Sequence, residues 1–469
     1  MFDYFLQFIG QLSEWLWGPW TMAFIAFVSI YLTVKTRFFQ IRYFKLIFSK
    51  TLGRIFHEKK QTSKNSISPF QATTASLAGT VGMGNMAGVA TALSIGGPGA
   101  IFWMWVMAFF GMITKAAEIT LAVHYREVDG SGNIRGGPMY YIKKALGWKV
   151  LATFFSIGII VNCIFTSSLL QAHTVGRALE ASYDVNPYLA TSLMGLITLT
   201  VAVGGIQRIG KVCEALVPLM TLIYLLSGFF IVLANYSSIP EAFSQIFHFA
   251  FAPAPAVGGF AGAAVMSAIQ MGMARGMLSN EAGLGTAPMV HANAETEHPF
   301  LQGLWGSAEV FLDTTVVCTI TALIILCSGV LENGSSGIEL LLEGYATYYS
   351  PLIANAIISI AIVTFCLSTQ IGFFVYFETA LVDLFNKKIF NIIKWLYFLP
   401  GIVFAGISNV DQLWMLANIS VALSALPNLV ALLFLIGVFL KLMRDYMSGE
   451  NKYATKLTDK NKQYIKIAE

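Results

Sequence analysis

Charge is what this sequence has least of. Asp, Glu, Lys and Arg make up 12% of its 469 residues, about half the share usual in a soluble domain. Cysteine is scarce too. The five present (Cys163, Cys213, Cys318, Cys327 and Cys366) sit in apolar segments and form no C-x-x-C pair, which excludes a disulfide framework and a cysteine metal site. The six histidines make no H-x-x-x-H or H-E-x-x-H spacing, and no G-x-x-x-x-G-K-[ST] loop occurs. Metalloenzyme and nucleotide-driven pump chemistry therefore lack their residues. A channel would need a filter or a charged ring, and neither pattern is found. The N-terminus has no basic n-region ahead of its first apolar stretch, so no cleavable signal is expected.

Hydrophobic residues, in contrast, fill 56% of the chain. Runs bounded by Pro, Gly and charge predict eleven membrane spans near 15–34, 70–95, 98–124, 150–178, 187–204, 212–235, 261–290, 303–328, 351–384, 391–409 and 414–441. Positive charge sorts the loops between them. Segment 35–64 carries Lys35, Arg37, Arg42, Lys45, Lys50, Arg54, Lys59, Lys60 and Lys64, whereas the loops near 179–186, 236–260, 329–350 and 410–413 contain no Lys or Arg. The positive-inside rule then puts the N-terminus outside and the C-terminus in the cytoplasm of a multi-pass cell-membrane protein.

Glycine is placed where a spanning helix least tolerates it. In "LAGTVGMGNMAGVATAL", Gly79, Gly82, Gly84 and Gly88 interrupt the second span, each disfavouring helix by about 1 kcal/mol relative to Ala. With the first span set aside, ten remain as two fives that start on opposite sides. The span at 261–290 opens the second five and carries its own interruption, "QMGMARGM". Broken helices at matching positions of inverted halves point to a midplane binding site. The alternative is small-residue helix packing, which the Gly84/Gly88 spacing also fits. The expected organisation is an N-terminal helix with a basic loop (1–64), a repeat core (65–441, halves 65–235 and 261–441) and a tail (442–469).

Three blocks carry a family resemblance: Phe70–Ile142, which includes "GTVGMGN"; "GMARGMLSNEAGLGTAP" at Gly272–Pro288; and "FLDTTVVCTITALIIL" at Phe311–Leu326. With "WGPW" and "TRFFQIR" near the start, they resemble the alanine/glycine:cation symporters. The resemblance implies an all-α, leucine-transporter-type fold: a ten-helix, five-plus-five inverted repeat plus one N-terminal helix. It implies a secondary transporter rather than an enzyme, moving a small neutral amino acid of the alanine/glycine class into the cell. Sodium is the implied coupling ion, and no other cofactor or nucleic-acid partner is expected. Proton coupling or a different small solute is the alternative.

Residues freed by the first break, Met83, Gly84 and Asn85, have backbone N–H groups suited to a carboxylate, and by resemblance Met83 and Gly84 lie where the family holds it. The family usually has Thr at the Met83 position, so one hydroxyl is missing. The carbonyls of Ala78, Val81 and Phe365 and the hydroxyls of Ser368 and Thr369 form the expected sodium site; back-bonding of both hydroxyls to their own helix is the alternative. Asn85 and Asp313, with Thr314, are candidates for a second cation site or for a structural network. Gln171 falls where the family places a Gln near the substrate; an interhelical hydrogen bond is the alternative. Met271, Gly272, Met273 and Met277 are expected to line the second break, with core packing the alternative for the methionines. Ser168 and Phe373 stand where the family has larger aromatics ("STQIGF" for "STxxGW"), which predicts a roomier pocket unless Phe374 or Met273 fills the space. Lys115 and Glu118, three apart, are expected to pair. Asn280 and Glu281 are expected in a gate or helix network, and His173, at a position where the family commonly has Asn, as a buried core histidine.

Overall fold

The computed structural model describes residues 2–57, 65–130, 132–252, 261–406 and 410–454. Helices α1 (Phe2–Leu16) and α2 (Pro19–Lys35) precede the core, followed by two short helices, α3 (Phe39–Arg42) and α4 (Phe44–Lys50). The first half then runs through α5 (Pro69–Thr80), α6 (Val89–Gly96), α7 (Gly99–His124), α8 (Pro138–Tyr141), α9 (Lys149–Asn162), α10 (Gln171–Tyr183), α11 (Pro187–Ala202) and α12 (Gly205–Ala234). Helix α13 (Ile239–Phe249) leads to the second half: α14 (Ala261–Asn280), α15 (Ala287–His291), α16 (Pro299–Val310), α17 (Thr319–Ser328), α18 (Gly337–Ala346), α19 (Pro351–Leu384), α20 (Lys387–Ile393), α21 (Leu399–Val403) and α22 (Val410–Ser448). A two-stranded hairpin, Glu127–Val128 with Ile134–Arg135, sits in the loop after α7.

Among the described residues, seven helical stretches are long and apolar enough to cross a membrane alone. The remaining predicted spans are short or broken. One expectation needs correcting: 391–409 is no single span, because α20, a tight turn at Lys394–Tyr397 and α21 share that region. Pro400 lies in the first turn of α21 and Gly401 packs against Ser168 and Ala172, and residues 407–409 lie outside the described residues.

Both broken helices sit at the centre. Helix α5 starts with a capping box, in which Ser68 and Gln71 satisfy each other's backbone N–H beside Pro69, as a helix start requires. Helix α5 packs between α12 and α19, while α14 packs along α7, which also carries α16. The two broken helices are tied together where α5 begins and α15 ends: Ile67 N–H donates to Asn293 O at 3.1 Å and Glu295 N–H to Ile67 O at 2.9 Å. Arg126 Nη1 clamps the same segment through Ala292 O (2.9 Å) and Ala294 O (2.7 Å).

The second break lies elsewhere than predicted. Helix α14 runs unbroken through "QMGMARGM" to Asn280. Gly272 and Gly276 are contact points: a Cβ at Gly272 would meet Ala100 O and Trp103, and one at Gly276 would lie 3.4 Å from Met104 Cα. These two glycines serve close helix packing. The chain leaves the helix at Glu281–Thr286 instead, where Glu281 (φ 56°), Gly283 (φ 94°) and Gly285 (φ 77°) all take left-handed backbone. Three such residues in five cannot continue a right-handed helix.

Candidate functional site

The first break is shaped by residues on both sides of it. Val81 leaves α5 in extended backbone, and the chain re-enters as a wide π-type turn over Gly84–Gly88. Asn85 closes the gap, its Oδ1 accepting the Gly82 N–H at 2.9 Å. Neighbouring side chains take the space the glycines leave. A Cβ at Gly82 would fall 2.7 Å from Thr369 Oγ1, one at Gly84 3.4 Å from Ser279 Cα, and one at Gly79 3.0 Å from the Tyr376 hydroxyl. Packing and interruption therefore coexist: the glycines let α14 and α19 close in on an opened backbone.

Helix α19 brings the predicted hydroxyls to that opening. Ser368 Oγ donates to Ala78 O at 3.3 Å, across the helix boundary, and to Phe365 O at 2.8 Å. Thr369 Oγ1 donates to Phe365 O at 2.9 Å while lying against Gly82. Back-bonding is thus present, and so is the convergence of uncharged oxygens from two elements. Val81 occupies the extended turn between Ala78 and Gly82. A small hard cation is held by several such oxygens, and the donor set fits one.

The third wall comes from the π-type turn at Cys163–Leu170, which runs into α10. Ser168 Oγ and Gln171 Oε1 are buried, and neither has a hydrogen-bond partner among the described residues. Gln171 Nε2 is held by Thr166 O at 3.4 Å, which leaves the acceptor end open. One helical turn on, Thr174 Oγ1 lies 2.8 Å from Met83 Sδ, joining this wall to the first break. A buried polar atom without a partner costs about 1–3 kcal/mol, so these two, three residues apart in the chain, are open to a polar ligand or an ordered water. Phe373 is buried, with its ring against Gly79 and 5.0 Å from the Tyr376 ring. His173 is buried and engaged by neighbours, as a core histidine should be.

The family model for the sodium:alanine symporter family matches residues 2–461. The chain belongs to the sodium:alanine symporter family. It is 38% identical over 450 residues to the uncharacterised transporter YflA of Bacillus subtilis, covering 96% of this chain and 95% of that one. To the sodium/alanine symporter AgcS of Methanococcus maripaludis it is 36% identical over 446 residues, covering 92% and 95%. The crystal structure of MhsT in complex with L-phenylalanine superposes with a TM-score of 0.55 at 13% identity, covering 81% of this chain and 90% of that one. Such a likeness shows the fold alone, the leucine-transporter type; membership of the family makes the chain a membrane transporter rather than an enzyme.

In this symporter-family chain, Asp313 is a hub between the two broken helices. Its Oδ1 accepts from Asn85 Nδ2 at 2.8 Å, and its Oδ2 from Ser279 Oγ at 2.6 Å and Thr314 Oγ1 at 2.9 Å. Both carboxylate oxygens are engaged in hydrogen bonds. Asn280 joins through Thr314 at 3.1 Å, and Glu281 accepts from Thr286 at 2.6 Å across the second break. Met277 lies at that break beside Gly283, and Met273 sits one turn back, half-buried. Gly272 is removed from it, facing α7.

Lys115 does not pair with Glu118. Its Nζ lies 3.1 Å from Glu309 on α16 and 2.9 Å from Asn280 O at the end of α14, because α7 turns that face toward α14 and α16. Glu309 also accepts from Ser76 Oγ at 2.9 Å and contacts His291 Nε2 at 2.6 Å. Glu118 instead receives Asn428, which also donates to Gly283 O at 2.9 Å. One more residue escaped the sequence reading. Arg275, inside the quoted "GMARGM", lies on the face of α14 one turn before Ser279, with its guanidinium 4.5 Å from the Trp414 ring of α22. Its Nε is buried without a hydrogen-bond partner among the described residues. A charge in the middle of an apolar helix was the available signal.

Proposed function

We propose that this protein carries a small neutral amino acid of the alanine/glycine class into the cell, coupled to sodium, by alternating access around the first break. The observation that carries this reading is the convergence at Gly82–Asn85 of opened backbone with the Ser368 and Thr369 hydroxyls, beside which Thr174 touches Met83 from the helix that carries the unpartnered Gln171 Oε1. Backbone N–H groups at Met83 and Gly84 receive the substrate carboxylate, and Gln171 Oε1 offers an acceptor for its ammonium. Sodium takes the carbonyls of Ala78, Val81 and Phe365 with the hydroxyls of Ser368 and Thr369. Its charge, set beside a carboxylate in a dry site, makes each ligand strengthen the other. Met273, Met277 and Phe373 bound the side-chain end. Ser168 and Phe373, smaller than their family counterparts, admit side chains somewhat larger than that of alanine. The N-terminus faces outward and the C-terminus the cytoplasm, as the loop charges require.

The test is uptake of radiolabelled amino acids into proteoliposomes under an imposed inward sodium gradient. Alanine, glycine or serine should accumulate only with the gradient present, and Phe373→Trp should narrow uptake toward glycine and alanine. Accumulation that is indifferent to sodium overturns the coupling. Uptake driven by a pH gradient in sodium-free buffer would establish the second reading, proton coupling, which the buried Glu309–His291–Lys115 cluster favours.

A further inference from the structure

A basic recess lies where the end of α2, α3 and the end of α22 meet. It encloses about 310 Å³ and is lined by Lys35, Arg37, Arg42 and Arg444, together with the apolar Leu440 and Met443; no Asp or Glu lines it. These cations are left to aromatic company or to solvent. Lys35 stands over the Tyr31 ring at 5.4 Å and Arg42 over the Tyr43 ring at 5.5 Å, and none of the four has a carboxylate partner among the described residues. Four like charges around one small cavity repel each other unless an anion joins them.

The backbone is bent to make this recess. Helix α2 ends with Phe38 N–H donating to Thr33 O at 2.9 Å and Arg37 N–H to Val34 O at 3.0 Å. That is a Schellman termination, whose left-handed position favours glycine. Here Arg37 fills it at φ 55°, and Phe38 follows at φ 55°. Two consecutive left-handed residues with large side chains are strained, and such strain collects at functional positions. The turn presents Arg37 to the recess. Around it Val34, Phe38, Ile41 and Phe44 stand exposed on the end of α2 and on the short helices that follow. A soluble anion has no use for that apolar rim. A lipid has, since its phosphate and its acyl chains meet at this level of the bilayer.

We propose that the recess binds the phosphodiester headgroup of an anionic phospholipid, with acyl chains covering Val34, Phe38, Ile41 and Phe44. The lipid bridges the first spanning helix to the last, and it lies on the face assigned above to the cytoplasm. Nothing in this site depends on which amino acid or which ion is carried.

Native mass spectrometry of the full chain, released from neutral detergent doped with phosphatidylglycerol or with phosphatidylcholine of the same acyl chains, tests it. Wild type should retain phosphatidylglycerol in preference. Each neutralised cation should weaken retention about fivefold, so Arg42→Gln with Arg444→Gln loses most of it. Arg444→Lys should keep it, and Lys149→Gln, exposed at the start of α9, should change nothing. Arg42 and Arg444 are exposed, so their variants should fold, and an unchanged unfolding midpoint checks this. Equal retention of the two lipids, or full retention by the double variant, overturns the proposal. Displacement of phosphatidylglycerol by inorganic phosphate would overturn it in favour of a soluble anion.

Discussion

Asn85 donates its side-chain amide to the Asp313 carboxylate at 2.8 Å, joining the broken first helix to the π-type turn at Phe311–Cys318. The same amide donates to Ser279 Oγ at 2.9 Å, and Thr321 Oγ1 returns a bond to Asn85 O at 2.8 Å. The break is therefore held open by a closed network, and disrupting that network is expensive.

Asp313→Ala should take the shared carboxylate acceptor from Asn85, Ser279 and Thr314. At about 1–3 kcal/mol for each buried donor left without an acceptor, the loss is large against ordinary domain stability. Thermal unfolding in detergent should show a clearly lowered midpoint, and Asp313→Asn, which keeps one acceptor, should fall between. A midpoint equal to wild type for the alanine variant would contradict the hub.

Thr369→Ala removes a hydroxyl next to Gly82 but leaves the helix intact, since that hydroxyl only back-bonds within α19. Half-saturating sodium for uptake should rise about tenfold, the equivalent of one ligand worth roughly 1.4 kcal/mol. Thr369→Ser should restore most of it. Sodium dependence identical to wild type in the alanine variant would place the ion elsewhere.

Lys115 and Glu309 are fully buried partners. Removing one leaves an unpaired charge, at about 3–5 kcal/mol. Lys115→Met and Glu309→Gln should each destabilise strongly, and the double variant should be more stable than the sum of the two losses predicts. Additive losses in that cycle would mean that the pair is not coupled.

Arg275 and Trp414 link α14 to α22 by a cation–π contact, worth about 2 kcal/mol where desolvated. Trp414→Ala should let the two helices part more often. In a Met273→Cys background, an impermeant thiol reagent added from outside should then react faster, and the five native cysteines, all buried, keep the background low. Unchanged labelling would leave Arg275 a packing residue.

Hydropathy and loop charge needed no tertiary information to outline the spans and the two opposed halves, because lipid forces long apolar helices on any chain that crosses it. The first break was equally legible, since four glycines cluster where no packed helix needs them all. The second was misplaced for a reason local sequence cannot supply. Gly272 and Gly276 look like breakers until α7 is seen pressed against them, and Gly283 and Gly285 look ordinary until their positive φ is measured. Lys115 likewise shows a partner three residues away in the sequence and takes one on α16. The wide turns at Cys163–Leu170 and Phe311–Cys318, which carry Ser168 and Asp313, leave no compositional mark. Residue type and spacing determined which helices form and which of them is opened at Gly82–Asn85. Only the packing of those helices decided where the second one opens and which buried charges meet, because both depend on contacts between residues far apart in the chain.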